Sequence, residues 1–274
     1  MNVSVIIPIH EYNDQISNLL EKAIESIIKQ ENLVELPEVI IVYPTSLGNN
    51  ITSFKDSIQL KHQDKIKLIL IENSGKTNYQ SQVNLAVDAV TNDYFSVLEF
   101  DDEYGSTYFR NVEKYTQTYP EIDVFLTMMI EVNEKNEGIK LTNETVWAQQ
   151  FVGENGDMGY LNANSLKQYT DFKLSGAIIK KSDFINLGKY KSNIDLAFMY
   201  EYLLRALNNA SKIFTIPKIG YKHLATREGS MFNNYLKNMP INERKFWFET
   251  AAKESNFSND RIIDTSRIQK LIVE

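Results

Sequence analysis

Residues 3–28, VSVIIPIHEYNDQISNLLEKAIESII, join a strand pattern directly to a helix pattern. Residues 3–9 form a short, continuous apolar run rich in β-branched side chains, which predicts a strand covered on both faces. Asn13 or Asp14 can cap the helix that follows. The apolar side chains of that helix recur at steps of three and four residues as one stripe: Ile16, Leu19, Leu20, Ala23, Ile24, Ile27 and Ile28. A strand that leads into an amphipathic helix is the repeating unit of α/β folds.

The same alternation continues through the first half of the chain. Residues 38–43 (EVIIVY), 66–72 (IKLILIE) and 94–100 (YFSVLEF) predict three more strands, and residues 80–90 carry helical spacing. This order predicts a mostly parallel sheet with helices on both faces. Ligands of such sheets bind beyond the carboxyl ends of the strands. The predicted functional edge therefore holds residues 8–11, 43–46, 73–76 and 99–103.

The second half of the chain is more mixed. Strands are predicted over residues 124–132, 175–180 and 213–219, and helices over residues 194–210 and 235–254. Residues 138–170 are polar, with Gly153, Gly156 and Gly159 and the aromatic residues Trp147, Phe151 and Tyr160 among them. We expect them to form a long loop that can cover the site.

Composition excludes several functional classes. The 274 residues include no cysteine, which excludes disulfides, zinc–thiolate sites, iron–sulfur clusters and a cysteine nucleophile. No apolar run reaches the ~18–20 residues that span a bilayer, and the start of the chain lacks a basic signal-peptide region. We therefore expect a cytoplasmic protein, in the host cytoplasm if it is viral. The formal charge of −7 argues against sequence-blind DNA binding, which needs surplus Lys and Arg.

The chemistry centres on the acidic run that closes the fourth predicted strand, residues 99–103 (EFDDE). Side chains alternate faces along a strand, so Glu99 and Asp101 are predicted to share one face. Two carboxylates at the end of a buried strand repel each other and favour a divalent cation such as Mn²⁺ or Mg²⁺. Such an ion would be shared with a substrate diphosphate. The alternative is a solvated acidic turn without an ion.

A second cluster follows the last predicted strand, at residues 221–230 (YKHLATREGS). His223 can complete a metal shell, and Arg227 can bind phosphate oxygens with both arms of its guanidinium. A structural, hydrogen-bonded histidine is the alternative. The chain has two other histidines. His62 is expected at the surface, and His10 borders the predicted site just after Pro8.

These residues together resemble family 2 glycosyltransferases with the GT-A fold, over roughly residues 3–230. Residues 3–14 are similar to that family's first strand and proline-ended turn. Matching positions also fall, without gaps, in its helix start and its Asp-x-Asp-Asp strand end: Asn84, Tyr94, Leu98, Asp101 and Asp102. Residues 175–190, 198–207 and 223–230 resemble the acceptor-side segment, the acidic-pair helix and the metal-histidine loop.

The resemblance implies an α/β fold: a GT-A-like, mixed but mostly parallel sheet flanked by helices, with a C-terminal helical extension. It implies one catalytic domain over residues 1–235, with a nucleotide-sugar-binding half (1–105) and an acceptor-binding half (106–235). Residues 236–274 would form the extension.

The resemblance also implies an inverting, metal-dependent transfer from a nucleotide diphosphate sugar, foremost a UDP-sugar, to an acceptor hydroxyl. Mn²⁺ or Mg²⁺ would be held by Glu99, Asp101 and His223. The residues expected to bind the donor are Pro8, His10, Glu11, Tyr43, Asn84, Asp101, Asp102 and Arg227. The family's acidic base-reading residue is replaced near Tyr43. Either the nucleotide base stacks on that ring, or the donor is an unusual one.

The catalytic base is the largest departure from the family pattern. The acidic pair that supplies it aligns with Phe198 and Met199. Glu201 is the nearest replacement, and Asp195 is the second. The alternative for Glu201 is a structural pair with Arg205, four residues later on the same helix.

The acceptor is left open by the motifs. A surface glycan or other carbohydrate is the first hypothesis, and a hydroxylated DNA base, as a phage DNA-modifying enzyme would use, is the second. Two hypotheses come from other classes: a catalytically silent sugar-binding relative and a nucleotidyltransferase. The second ranks lower because residues 8–11 (PIHE) are neither glycine-rich nor basic.

Overall fold

The computed structural model describes residues 2–63, 65–144, 159–162, 166 and 172–254. Within them a 10-stranded sheet is flanked by helices. Its strands are β1 (Val3–Pro8), β2 (Val39–Pro44), β3 (Leu68–Asn73), β4 (Tyr94–Val97), β5 (Glu103–Tyr104), β6 (Val124–Val132), β7 (Gly138–Thr142), β8 (Tyr160–Leu161), β9 (Ile178–Lys180) and β10 (Ile213–Leu224). The helices are α1 (Asp14–Ile28), α2 (Gly48–His62), α3 (Tyr79–Ala89), α4 (Tyr108–Thr118), α5 (Lys181–Asn186), α6 (Phe198–Asn208), α7 (Met231–Asn238) and α8 (Ile241–Glu254).

The first four strands form the parallel half of the sheet, in the order β3-β2-β1-β4. Every residue of β1 and β2 is buried, which agrees with the continuous apolar runs of the sequence. Separate hydrophobic clusters cover the two faces of the sheet. The predicted mostly parallel sheet with helices on both faces is confirmed, and its carboxyl edge is where the acidic run emerges.

The second half of the sheet brings later parts of the chain to that edge. β9 lies antiparallel between β4 and β6, and β10 runs parallel to β6. β5 is a two-residue strand that pairs antiparallel with β10, joining Tyr104 to Tyr221 and Glu103 to Lys222. Because β5 directly follows the acidic run, this pairing places that run beside the end of β10.

Local signals explain where the first helices begin. Asn13 caps α1, because its side chain accepts a hydrogen bond from the Ile16 amide at 2.9 Å. Asn78 caps α3 in the same way through the Ser81 amide. In the described part of the chain, no helix is long and apolar enough to cross a membrane.

Several predicted boundaries differ from the structure. Strand β4 ends at Val97 rather than residue 100, and β7 and β8 occupy part of the predicted loop at residues 138–170. Trp147 and Phe151 lie outside the described residues, as do residues 255–274 of the predicted extension. The helix predicted over residues 235–254 is two helices separated at Pro240, because proline has no amide hydrogen to continue a helix.

The buried carboxylate of Glu38, just before β2, binds side chains from β1 and from the segment before β4. Its Oε1 accepts hydrogen bonds from the Ser4 hydroxyl at 2.6 Å and from the amide and hydroxyl of Thr91 at 3.0 and 2.8 Å. Burial alone would raise the pKa of Glu38, but these hydrogen bonds outweigh it and leave the pKa below the usual 4.5. The carboxylate form therefore stabilises the fold above pH 4.5, and this contribution is lost as the pH falls through the lowered pKa.

We expect Glu38→Gln to lower the free energy of unfolding by about 2 kcal/mol at pH 7, and this deficit to shrink below pH 4.5. Urea denaturation of both proteins between pH 3 and pH 7 measures it. Glu113→Gln, at an exposed helical position, is the matched control. A deficit that stays constant over this pH range would contradict the assigned role of the ionised carboxylate.

Candidate functional site

The acidic run forms a turn instead of continuing strand β4. The Asp102 amide donates a hydrogen bond to the Glu99 carbonyl oxygen at 3.0 Å, five residues after the strand ends at Val97. Because the chain turns here, the alternation of faces along a strand does not extend to these residues. The turn brings Glu99 and Asp102 together, whereas the sequence predicted that Glu99 and Asp101 would share a face.

Glu99, Asp102 and His223 form one compact group, which we call the acidic cluster. Each offers one ligand atom, and these atoms all lie within 4.8 Å of one another. Asp102 is 1% exposed, and its carboxylate lies 2.9 Å from Nδ1 of His223. The Leu224 amide donates to the same carboxylate at 2.8 Å. His223 therefore reaches the acidic run, as the sequence predicted.

The electrostatics of the acidic cluster favour positive charge beside its carboxylates. Burial raises the pKa of Glu99, and the charge of Asp102 raises it further. Burial alone would lower the pKa of His223, but the Asp102 carboxylate outweighs it and raises that pKa to about 9. A buried carboxylate held this close to a partly buried one is stabilised by positive charge. Two carboxylates and an imidazole are ligands suited to Mn²⁺, so the donor set fits the ion that the sequence predicts.

Asp101 lies outside the acidic cluster and forms an ion pair with Arg227. Arg227 Nε lies 2.6 Å from Asp101 Oδ2, and Nη1 lies 3.2 Å from Glu11 Oε1. The guanidinium also lies over Phe100, 5.0 Å from the ring centroid. Burial and the neighbouring carboxylates raise the pKa of Asp101 to about 7, against the opposing effect of Arg227. The residue that lies with Glu99 and His223 is therefore Asp102 rather than Asp101, and the role of Asp101 as a metal ligand stays a prediction.

The predicted donor-binding residues of the first two strands lie at the expected edge. Pro8 ends β1 with His10 and Glu11 just beyond it, and Tyr43 lies at the end of β2. Burial lowers the pKa of His10, whose ring lies 5.4 Å from the Phe100 ring. Tyr43 is 6% exposed, so its ring offers little surface for the predicted stacking on a base. The donor contacts of the other three residues stay predictions.

Asn84 makes a two-way contact with the backbone of Tyr190. Its side-chain amide donates to the Tyr190 carbonyl oxygen at 2.7 Å, and its Oδ1 accepts from the Tyr190 amide at 3.0 Å. Both ends of this side chain are therefore occupied in joining helix α3 to the segment before α6. The geometry gives Asn84 a structural contact, and its donor role stays a prediction.

Glu201, the first-ranked candidate base, is held in an ion pair inside the protein. It is 0% exposed, and its two carboxylate oxygens accept hydrogen bonds from Arg205 Nε at 2.6 Å and Nη2 at 2.8 Å. The Lys191 ammonium nitrogen lies 3.3 Å from Glu201 Oε1. Arg205 also donates to the carbonyl oxygens of Leu187 and Lys189. This arrangement is the structural pair that the sequence allowed as the alternative.

Asp195, the second candidate, is partly exposed and lies three residues before helix α6. Its segment is held against helix α3, because the Gln80 side chain donates to the Ile194 carbonyl oxygen at 2.6 Å. The start of α6 also contacts the start of helix α3, because the Phe198 ring lies 5.3 Å from the Tyr79 ring. The charge of Glu99 adds to the burial that raises the pKa of Tyr79.

Sequence reasoning missed two residues of the site. The Ser175 hydroxyl donates to Glu99 Oε1, and the Tyr221 hydroxyl accepts from the Glu99 amide. Tyr221 stands two residues before His223 on the same strand, which is a signal that a search for partners of Glu99 could have used. Ser175 carries no comparable signal.

Comparison with protein families shows the family of this chain. The family model described as "Glycosyl transferase family 2" matches residues 4–184, well over half of the chain. The chain belongs to glycosyl transferase family 2. The matched span of this glycosyltransferase includes the acidic run and Ser175, while His223 and Arg227 lie beyond it.

Solved structures support the GT-A fold of this glycosyltransferase. Residues 1–349 of S. aureus TarS, in complex with UDP-GlcNAc, superpose with a TM-score of 0.69 at 15% identity over 100% of this chain and 72% of that one. Mannosyltransferase PcManGT from Pyrobaculum calidifontis, in complex with GDP-Man and Mn²⁺, gives 0.67 at 14% identity, covering 98% and 70%. A search of curated proteins found no significant match.

The glycosyltransferase also has an open cleft of about 650 Å³ that reaches the Asp101–Arg227 pair. Helix α1, strand β5, the turn between β6 and β7, and the end of β10 form its walls. Its charged residues balance, with Lys22, Lys29, Lys222 and Arg227 set against Glu25, Glu103, Glu134 and Asp101. A surface with balanced charge favours uncharged polar ligands over polyanions.

Proposed function

We propose that this family 2 glycosyltransferase binds a nucleotide diphosphate sugar through a divalent cation held by Glu99, Asp102 and His223. The observation that carries the proposal is the meeting of these three donor groups within 4.8 Å at the carboxyl edge of the sheet. The complexes of TarS with UDP-GlcNAc and of PcManGT with GDP-Man and Mn²⁺ support it by analogy of fold. The imidazole favours Mn²⁺ over Mg²⁺, because Mg²⁺ prefers oxygen ligands alone.

The bound ion would supply positive charge that stabilises the departing diphosphate. Arg227 is placed to add to that charge. Its guanidinium now neutralises Asp101 and Glu11, and a phosphate group can replace either carboxylate as its partner. The Arg227 guanidinium therefore has an anionic partner both with and without the bound phosphate. This matters because Arg227 is 5% exposed, and leaving a buried charge without an anion is costly.

We assign proton removal from the acceptor hydroxyl to Asp195 rather than Glu201. A general base must be able to reach the hydroxyl and accept its proton. Glu201 has both oxygens bound by Arg205, and protonating it would leave that buried guanidinium without its counter-charge. Asp195 is partly exposed. Attack by the deprotonated hydroxyl, opposite the departing diphosphate, inverts the configuration at the anomeric carbon.

For the acceptor, an uncharged glycan fits better than DNA. The balanced cleft that reaches the Asp101–Arg227 pair and the formal charge of −7 both disfavour a polyanion. A UDP-sugar is kept as the first donor to test, with GDP-Man as the second. The DNA-modifying alternative predicts retention on DNA that weakens steeply with salt.

Thermal unfolding and donor hydrolysis together test the proposal. We expect UDP-GlcNAc or GDP-Man to raise the Tm in the presence of Mn²⁺ but not with EDTA. A ligand at 100 times its Kd adds about 2.7 kcal/mol of stability. Slow release of free sugar would accompany it. Stabilisation without sugar release would identify a silent binding relative, and no Mn²⁺-dependent shift with either donor would overturn the proposal.

A further inference from the structure

Glu99 is held from two directions by hydroxyl groups. The Ser175 hydroxyl, itself 2% exposed, donates to Glu99 Oε1 at 2.5 Å. The Tyr221 hydroxyl accepts from the Glu99 amide at 3.1 Å. One contact fixes the carboxylate, and the other fixes the backbone of the turn that carries it.

The position of Ser175 is set by the residue that follows it. The Gly176 amide donates to the Val97 carbonyl oxygen at 2.9 Å, which joins the segment before β9 to the end of β4. Gly176 has a φ of +70°, and a Cβ there would lie 2.2 Å from the Tyr221 ring. The turn therefore packs directly on Tyr221, and only glycine fits at this contact. Ser175 thereby reaches Glu99 from a fixed direction.

The carboxylate of Glu99 needs such a contact because its neighbours push it away. It is partly buried next to the Asp102 carboxylate, and the ligand atoms of the two side chains lie within 4.8 Å of each other. Glutamate also has one more rotatable bond than aspartate, so an unheld Glu99 would have more ways to turn away from Asp102. A hydroxyl that donates to Oε1 holds one rotamer and leaves Oε2 available.

We propose that Ser175 is a positioning residue that holds the Glu99 carboxylate in the orientation needed to bind a divalent cation together with Asp102 and His223. This inference rests on the proposed function. Partners that orient a metal ligand are worth about 10–100-fold in metal affinity. Ser175 acts through Glu99 and touches neither the ion nor the substrate.

Mn²⁺ titration of the full chain by calorimetry, without donor or acceptor, tests this role. Ser175→Ala is expected to weaken Mn²⁺ binding about 10-fold or more, and Ser175→Thr, which keeps the hydroxyl, to restore most of it. The matched control is Ser211→Ala. Ser211 is also a buried serine bound to a carboxylate, since its hydroxyl lies 3.0 and 3.1 Å from the two oxygens of Asp183. That control should lower the Tm without changing Mn²⁺ affinity.

Glu99→Asp gives a second test that does not depend on how Ser175→Ala folds. It keeps the charge but shortens the side chain by one methylene, so it should lose the Ser175 contact and bind Mn²⁺ more weakly. Wild-type affinity in Ser175→Ala, or in Glu99→Asp, would overturn the positioning role while leaving the metal site in place. Absence of Mn²⁺ binding by the wild-type chain would overturn both the role and the proposed function.

Discussion

Asp102→Asn is expected to weaken Mn²⁺-dependent donor binding by about 100-fold or more. Asparagine keeps the size of the side chain and can still accept from the Leu224 amide, but it removes the negative charge that faces His223. The proposed ion would then lose one of its two anionic ligands. Calorimetric titration of UDP-GlcNAc or GDP-Man into protein with saturating Mn²⁺ measures the loss.

Two further variants make this result specific. Asp56→Asn, at an exposed position of helix α2, controls for a change of one charge and should bind as the wild type does. Asp101→Asn should have a smaller effect than Asp102→Asn, because Asp101 is paired with Arg227. If Asp101→Asn abolishes binding and Asp102→Asn leaves it intact, the ligand set reverts to the one expected from a continuing strand.

Asp195→Asn is expected to lower turnover by about 10²–10⁴-fold while donor affinity stays unchanged. The amide cannot take the proton of the acceptor hydroxyl, but it leaves the acidic cluster and the Arg227 pair as they are. Donor hydrolysis rates with Mn²⁺, combined with donor titration, separate the two effects. Loss of turnover together with loss of donor affinity would contradict the role of a base.

Glu201→Gln is the comparison that distinguishes the two candidate bases. Removing the charge leaves Arg205 buried and unbalanced, which costs about 3–5 kcal/mol of folding free energy. We therefore expect a clear drop in Tm, with turnover per folded molecule close to that of the wild type. A stable Glu201→Gln protein with turnover lost by orders of magnitude would return the base to Glu201.

Much of the fold could be predicted because its signals are local. The parallel strands are continuous apolar runs, and helix α1 has both a cap at Asn13 and a full apolar stripe. Helix α2 was not predicted because it buries only three side chains of its length, so its periodic signal is weak. The end of β4 could not be predicted, because Leu98 and Phe100 are buried and apolar like the strand before them.

Some residues of the candidate site could likewise be predicted from the sequence, and others could not. Topology and residue type were enough to bring Glu99, His223 and Arg227 to one edge of the sheet. The approach of Asp102 to Glu99 depends on a hydrogen-bonded turn at residues 99–102. Aspartate is common in turns, but the apolar residues Leu98 and Phe100 favour a continuing strand, so the sequence pattern does not decide between the two. Ser175 and Tyr221 depend on contacts between segments far apart in sequence, which a single chain read in order does not reveal.

The most direct test is anomalous diffraction from crystals grown with Mn²⁺ and UDP. The geometry predicts one manganese peak bounded by the side chains of residues 99, 102 and 223, with diphosphate oxygens completing its coordination. A peak elsewhere, or UDP bound at the sheet edge with no manganese beside those three side chains, would contradict the account.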